Sequence, residues 1–163
     1  MKKLAFCFCL LMVLGLIVAL LIGFKDFNSP PSTISVQNRY KEHSDDIQII
    51  VDYLSSTDYE DVYITDNNGT MLAELEIILV EDSTFSNAID CIIGNRVYQH
   101  INKNGNTISF LQWKGIRDIG CGIAYTINGI DTPEIEFATK IIPLSDEGWF
   151  YYVSDYNAWR NSQ

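Results

Sequence analysis

Cysteine is scarce in this sequence, which limits both metal binding and disulfide crosslinking. Two of the four cysteines lie in an apolar N-terminal run, which leaves only Cys91 and Cys121. A zinc site needs more ligands at close spacing than two isolated cysteines and the two histidines, His43 and His100, provide. A Cys91–Cys121 disulfide would close a loop of about 30 residues and add roughly 3–4 kcal/mol of stability. The apolar neighbours of both cysteines favour two buried thiols instead.

Basic residues are also few, with 11 Lys and Arg against 21 Asp and Glu and a net charge of −10. Residues 1–24 hold two of the basic residues and none of the acidic ones, so the rest of the chain carries −12. Phosphate binding needs clustered Lys and Arg, so we expect no nucleic-acid partner. The acidic surface suits a basic partner or a cation, or it keeps an exported domain soluble.

Motifs of catalytic sites are missing as well. The nucleophile elbow G-x-S-x-G does not occur. Residues 66–69 (DNNG) resemble part of a calcium loop, but Ile64 occupies the first ligand position and a hairpin turn is favoured. His100 and Cys121 are a conceivable base and nucleophile, although their spacing is uninformative. The sequence therefore predicts no catalytic residue, no metal site and no cofactor.

Two pairs of carboxylates have a spacing that matters for chemistry. Glu74 with Glu76, and Glu134 with Glu136, would each share one face of a strand. Paired carboxylates of this kind serve hydrolysis or metal binding. The alternative, a solvated strand face, is the expectation here.

Six aromatic residues cluster near the C-terminus within eleven positions. Alternation along a strand places Trp149, Tyr151 and Val153 on one face and Phe150 and Tyr152 on the other. We predict that the first set is core and that the C-terminal tail covers the second. An exposed aromatic platform for a peptide or glycan is the alternative. The six are Trp149, Phe150, Tyr151, Tyr152, Tyr156 and Trp159.

A long apolar run, residues 4–24, contains no charged side chain and follows Lys2 and Lys3. A helix of this length spans about 30 Å, the hydrocarbon thickness of a bilayer. A cleaved signal peptide, the alternative, has a shorter apolar region and a small-x-small cleavage site. We predict a single-pass anchor of the cell membrane, with the N-terminus in the cytoplasm and the domain outside.

The rest of the chain divides into a linker and one domain. Residues 25–41 form the predicted linker, which Pro30 and Pro31 stiffen, and residues 42–163 form the domain. Hydrophobic periodicity predicts helices at 44–56, capped by Ser44, and from about 82 to 94. It predicts strands at 62–65, 71–80, 96–101, 107–113, 121–127, 135–142 and 149–153. The predicted core faces are Ile47, Ile50, Val51 and Leu54; Ala73, Leu75, Ile77 and Leu79; and Phe85, Ala88, Ile89 and Ile92.

The order of these elements predicts an α+β domain in two layers, an antiparallel sheet with both helices on one face.

Residues 106–160, best defined in GIAYTINGIDTPEIEF and WFYYVSDYNAWR, resemble small membrane-anchored proteins of unknown function from low-GC Gram-positive bacteria. This resemblance implies an envelope location and transfers no activity or site residue. We predict a non-enzymatic accessory or immunity-like protein that binds another protein or a small ligand. The alternative is an extracytoplasmic hydrolase of cell-wall or extracellular substrate.

Overall fold

The computed structural model describes residues 12–15, 29–115, 118–129, 131–144 and 146–162. Residues 12–15 are helical, and they are the only part of the predicted anchor at 4–24 that is described. Within these described ranges, no helix is long and apolar enough to cross a membrane.

The domain is built from four α-helices, one π-helical turn and eight strands among the described residues. The helices are α1 (Thr33–Glu42), α2 (Ser44–Ser56), α3 (Ser83–Ile89) and α4 (Tyr156–Asn161), and the π-helical turn at Asp90–Gly94 continues α3. The strands are β1 (Asp61–Ile64), β2 (Thr70–Ala73), β3 (Glu76–Leu79), β4 (His100–Asn104), β5 (Thr107–Lys114), β6 (Ile119–Thr126), β7 (Ala138–Pro143) and β8 (Trp149–Asp155).

All eight strands join one antiparallel sheet in the order β3-β2-β1-β4-β5-β6-β8-β7. Helices α1, α2 and α3 contribute to a single hydrophobic core with one face of this sheet. We call this the helical face, and the opposite one the open face. The predicted α+β class and the antiparallel sheet are confirmed.

Helix α2 forms as the apolar periodicity predicts. Ile47, Ile50, Val51 and Leu54 are all buried, so the i, i+3, i+4, i+7 stripe faces the sheet. The cap differs from the prediction, because His43 holds the N-cap position and Ser44 is the first helical residue. The predicted stripe of the second helix, from Phe85 to Ile92, is also buried and its π-helical turn ends at Gly94.

The structure differs from the predicted linker at 25–41, because Thr33–Glu42 form helix α1. Ser32 caps this helix by accepting a hydrogen bond from the Ser35 amide at 3.2 Å. Val36 and Tyr40 are buried in the core. Only two buried side chains, four residues apart, mark the packed face, which is too few to give a helical period. The layer therefore holds three helices where two were predicted.

The predicted strand at 71–80 is two strands, β2 and β3, joined by a tight turn. Glu74 and Leu75 form this turn with φ angles of 50° and 70°. Such left-handed positions normally carry Gly, Asn or Asp, so residues 74 and 75 contain no turn signal. Of the predicted face, Ala73 is buried, but the other three side chains are exposed. They are Leu75 (92%), Ile77 (77%) and Leu79 (69%).

The strand predicted at 96–101 begins only at His100. The amides of Val97 and Tyr98 donate to the Ile92 carbonyl oxygen at 2.9 and 3.1 Å, which extends the end of the helical segment. Arg96 has a φ of 58° in this connection.

Near the C-terminus, α4 lies in the predicted polar tail, and the Asp155 carboxylate caps it by accepting from the Ala158 amide at 2.9 Å.

The prediction that Trp149 and Tyr151 are core residues is confirmed, since each is 3% exposed. The ring of Trp149 lies 4.7 Å from that of Tyr40 in α1 and 5.0 Å from that of Tyr125 in β6. The hydroxyl of Tyr151 donates to the carbonyl oxygen of Pro31 at 3.1 Å. These contacts fix α1 to the C-terminal part of the sheet.

Candidate functional site

The open face of the sheet carries a groove of about 380 Å³. On β4 and β5, Ile101, Ile108 and Phe110 pack in the core on the helical face, and the polar side chains between them line this groove. Asn102 and Ser109 face each other across the two strands, and the Ser109 hydroxyl donates to the Asn102 carbonyl oxygen at 3.5 Å. The polar residues that β4 and β5 contribute are His100, Asn102, Asn104, Thr107, Ser109 and Lys114.

A connection before β7 forms the opposite wall of the groove. The Glu134 amide donates to the buried Thr107 hydroxyl at 3.0 Å, and the Asp155 amide donates to the Phe137 carbonyl oxygen at 3.0 Å. The Phe137 ring packs against the rings of Tyr156 and Trp159 at 4.9 and 5.1 Å. The groove wall is thus held to the sheet at both ends and backed by aromatic side chains.

A small apolar cluster supports the floor of the groove. It consists of the buried side chains of Leu111, Ala124 and Tyr152, with Ile135 and Ile141 packed against them. Tyr152 is therefore covered by these two isoleucines and not, as was predicted, by the C-terminal tail. Burial raises the pKa of Tyr152, so its hydroxyl is neutral at any physiological pH.

His100 lies at the end of the groove where β1 and β4 meet. Its ring stands 5.1 Å from the ring of Tyr63, which also lines the groove. Burial, together with the positive charge of Lys114, lowers the pKa of His100. The imidazole is therefore neutral at pH 7 and can both donate and accept one hydrogen bond.

The groove brings together some of the candidate residues and separates others. His100, Glu134 and Glu136 all line it. Glu74 lies instead in the β2–β3 turn, where its carboxylate accepts from the Glu60 amide at 3.3 Å, and Glu76 is exposed on β3. Glu134 and Glu136 therefore lie in the connection before β7 and line the groove, instead of sharing a solvated strand face as expected, whereas Glu74 and Glu76 lie away from it.

Both described cysteines are free thiols outside this groove. Cys121 is completely buried in the core on the helical face, where burial raises its pKa to about 12. Cys91 is half-buried, and its pKa is raised by burial and by the nearby carboxylates of Asp46 and Asp90. A thiol with a raised pKa is a poor nucleophile at neutral pH, so the conceivable pair of Cys121 and His100 is not formed.

Nowhere in the described part of the chain do three His, Cys, Asp or Glu side chains gather closely enough to hold a metal ion. Among the described residues, the groove offers amides, hydroxyls, a neutral imidazole and aromatic edges beside three carboxylates and one ammonium group. The described charged lining residues are Lys114, Asp118, Glu134 and Glu136. An anionic ligand would meet more negative than positive charge there, so a neutral or cationic ligand fits better.

Most of this groove is not predicted by the sequence, because the strands were assigned from the period of their apolar residues and the groove is lined by the polar residues between them. The signal was present as alternation in HINKN and TISFL, where Asn102 and Ser109 stand between buried residues. Comparison with protein-family models, with curated proteins and with solved structures gives no match. The site is therefore interpreted from its own geometry.

Proposed function

We propose that this chain is a non-enzymatic binding protein whose domain holds a small polar ligand in the groove on its open face. The observation that carries the proposal is the groove itself, about 380 Å³ in volume and lined along β4 and β5 mostly by uncharged hydrogen-bonding groups. Pockets of this size bind small molecules when a few polar groups converge on them. An accessory or immunity-like role is compatible with such a domain.

The lining defines the class of ligand. Asn102, Asn104 and Ser109 offer amide and hydroxyl groups, and Tyr63 and Phe137 offer ring surface. This combination suits a compact molecule with several hydroxyl, amide or amine groups and an apolar face, such as an amino sugar or a small amine. The excess of carboxylates disfavours phosphorylated and other anionic molecules.

Calorimetric titration of the purified full chain tests this proposal with four probes: N-acetylglucosamine, glucose, putrescine and glucose 6-phosphate. We expect a neutral or cationic probe to bind and the phosphorylated sugar to bind at least tenfold more weakly than glucose. Asn102→Ala should weaken binding about tenfold, which corresponds to about 1.4 kcal/mol.

The matched control is Asn95→Ala, the same substitution at an exposed position that does not line the groove. It should leave the affinity unchanged. Equal effects of the two substitutions, or no heat of binding with any probe at millimolar concentration, would contradict the proposal.

One observation favours a second candidate, an extracytoplasmic hydrolase. His100 and Glu136, a neutral imidazole and a carboxyl group, line the same groove, as a general base and acid must. Incubating the full chain with soluble cell-wall oligosaccharides and analysing the products by mass spectrometry distinguishes the two functions. Products that vanish in both His100→Gln and Glu136→Gln would establish a hydrolase. Saccharide binding without any product supports the non-enzymatic function.

We also propose that residues 4–24 anchor the domain on the outer side of a bacterial cell membrane. The support is the length of the uncharged run and the two lysines before it. The full chain should fractionate with membranes at its full length. Protease added outside intact cells should degrade the domain. Release of a mature form that begins after residue 24 would show a cleaved signal peptide instead.

A further inference from the structure

Strand β3 forms one edge of the sheet, with β2 as its only neighbour in the described sheet. The Val80 amide donates to the Gly69 carbonyl oxygen at 2.9 Å. This bond shows which backbone groups of β3 point toward β2. Antiparallel strands alternate inward and outward backbone groups. The amides and carbonyls of Ile77 and Leu79 therefore point away from the sheet, where another strand can pair with them.

The two edges of the sheet differ in how they resist such pairing. The opposite edge, β7, carries Lys140 and Pro143 and a register irregularity between Ala138 and Lys140. Lysine, proline and bulges are the usual means by which edge strands avoid other chains. β3 carries none of the three, although its four residues include one carboxylate, Glu76.

Exposed apolar side chains accompany this open edge. Leu75, Ile77 and Leu79 are three of the four most exposed large apolar residues described in the domain, and the fourth is Ile34 of α1. Register places Ile77 beside Leu72, and Leu72 beside Tyr63, so an apolar row crosses three strands of the open face. Both Leu72 and Tyr63 are exposed by about two-fifths. A row of this kind on a monomer indicates a contact surface.

The conformation of Leu75 points to the same edge. Its φ of 70° is a left-handed angle that glycine adopts freely and leucine adopts at a cost. The side chain is almost fully exposed, so burial within the domain does not offset this cost. The turn needs the left-handed angle but not a leucine side chain, and a strained residue without a packing contact is typical of binding sites.

Charge identifies the partner. Residues 44–95, which include β1, β2 and β3, contain twelve Asp and Glu residues and no Lys, Arg or His. If two copies of β3 aligned antiparallel, Glu74 of one would lie near Glu81 of the other, and like charges across strands repel. A partner segment with basic residues meets attraction at the same positions.

We propose that β3 is a docking edge for an extended segment of another protein, one that alternates apolar and basic residues and adds a ninth strand to the sheet. The partner backbone pairs with Ile77 and Leu79, its apolar side chains extend the exposed row, and its basic side chains face the surrounding carboxylates. This mode of recognition is strand addition to a sheet edge. The exposed row shares Tyr63 with the lining of the groove but uses none of the groove's amide side chains.

The test uses the full chain and a synthetic peptide, acetyl-KVKIKVK-amide, followed by hydrogen exchange and mass spectrometry. We expect the peptide to bind and to slow amide exchange at Ile77 and Leu79. The Ile77→Lys variant should bind the peptide at least tenfold more weakly. The matched control is Ile34→Lys, the same change at a residue of α1 that is 72% exposed, and it should bind normally.

Three results would overturn the proposal. The first is equal binding of the acidic peptide acetyl-EVEIEVE-amide, which would remove the role of charge. The second is undiminished binding by Ile77→Lys. The third is a dimer, seen by analytical ultracentrifugation, that Ile77→Lys dissociates, because the edge would then pair with a second copy of this chain. Asn102→Ala should leave peptide binding intact, which separates this site from the groove.

Discussion

The ammonium group of Lys103 donates a hydrogen bond of 2.8 Å to the carbonyl oxygen of Leu54, at the C-terminal end of helix α2. A second bond of 3.0 Å reaches the carbonyl oxygen of Thr57. Carbonyls at a helix C-terminus lack partners within the helix, and a positive charge there also interacts favourably with the helix dipole. Lys103 lies on β4 and is 4% exposed, so it ties the middle of the sheet to the helical layer.

Lys103→Met should lower the free energy of unfolding by about 1–3 kcal/mol, because it removes the ammonium donor from both carbonyl oxygens and leaves that of Leu54 with only the Thr57 hydroxyl and amide. Burial lowers the pKa of Lys103, and the nearby charge of Asp58 opposes this shift. Urea unfolding at pH 7 measures the change. Lys114→Met, at an exposed lysine, is the control and should alter stability far less. Equal effects would show that the two bonds contribute little.

Trp149→Ala should cost about 3–5 kcal/mol, because it removes a buried ring from the contact between α1, β5 and β6. That is a large part of the 5–15 kcal/mol typical of a domain. The variant should be largely unfolded or insoluble by circular dichroism. Trp159→Ala, at a half-buried residue of α4, should be tolerated better. A Trp149→Ala protein with an unchanged melting temperature and lost binding would mark a recognition surface instead.

Acid should destabilise the domain through His100. Its pKa is lowered in the folded state from an ordinary value of 6.5, so the unfolded chain binds the proton first as the pH falls. Stability contributed by neutral His100 is therefore present above pH 6.5 and lost below it. Urea unfolding at pH 7.5 and 5.5 should show a smaller loss for His100→Gln than for the unaltered chain. An identical loss in both proteins would contradict this role of the imidazole.

Alkali should destabilise the domain through Tyr151. Burial raises the pKa of Tyr151 to about 12, so above pH 10 the unfolded chain loses its proton before the folded one does. The free energy of unfolding should fall between pH 10 and 12, and less steeply in Tyr151→Phe. At pH 7 the same variant should lose about 1 kcal/mol with the hydrogen bond to Pro31. Matching slopes for the two proteins would show that Tyr151 does not control this range.

Leu75→Gly should stabilise the domain by about 1 kcal/mol, because glycine adopts a φ of 70° without the steric cost of a leucine side chain. The same variant should weaken binding at β3, so stability and binding should change in opposite directions. Thermal unfolding followed by circular dichroism measures the first effect. A lower melting temperature would mean that the Leu75 side chain makes a stabilising contact.

Helices and strands are predicted best from the sequence where a single apolar period matches a single buried face. Ile47, Ile50, Val51 and Leu54 specify α2 in this way, and the period of two at Trp149, Tyr151 and Val153 specifies β8. They are predicted least well where local signals contradict the fold. Leu75 has a left-handed φ angle without being Gly, Asn or Asp, so the hairpin turn is not predicted. Ile77 and Leu79 alternate like residues of a core face, but both are exposed.

The groove could be predicted only in part, since its two walls are far apart in the sequence. His100, Glu134 and Glu136 are candidate residues by their chemistry alone. Their proximity depends on a hydrogen bond between Glu134 and Thr107, which are 27 positions apart. Tertiary contacts of this kind leave no local periodicity.

Helix α1 packs on β6 and β8, so it can dock only after both strands have been synthesised. The bond between Tyr151 and Pro31 joins residues 120 positions apart, and closing so long a loop costs more entropy than forming the hairpins of the sheet. During synthesis α1 is made well before its binding site. Val36 and Tyr40 must therefore remain without their partners until β8 has been added, and a chain released before that point exposes them to proteases and chaperones.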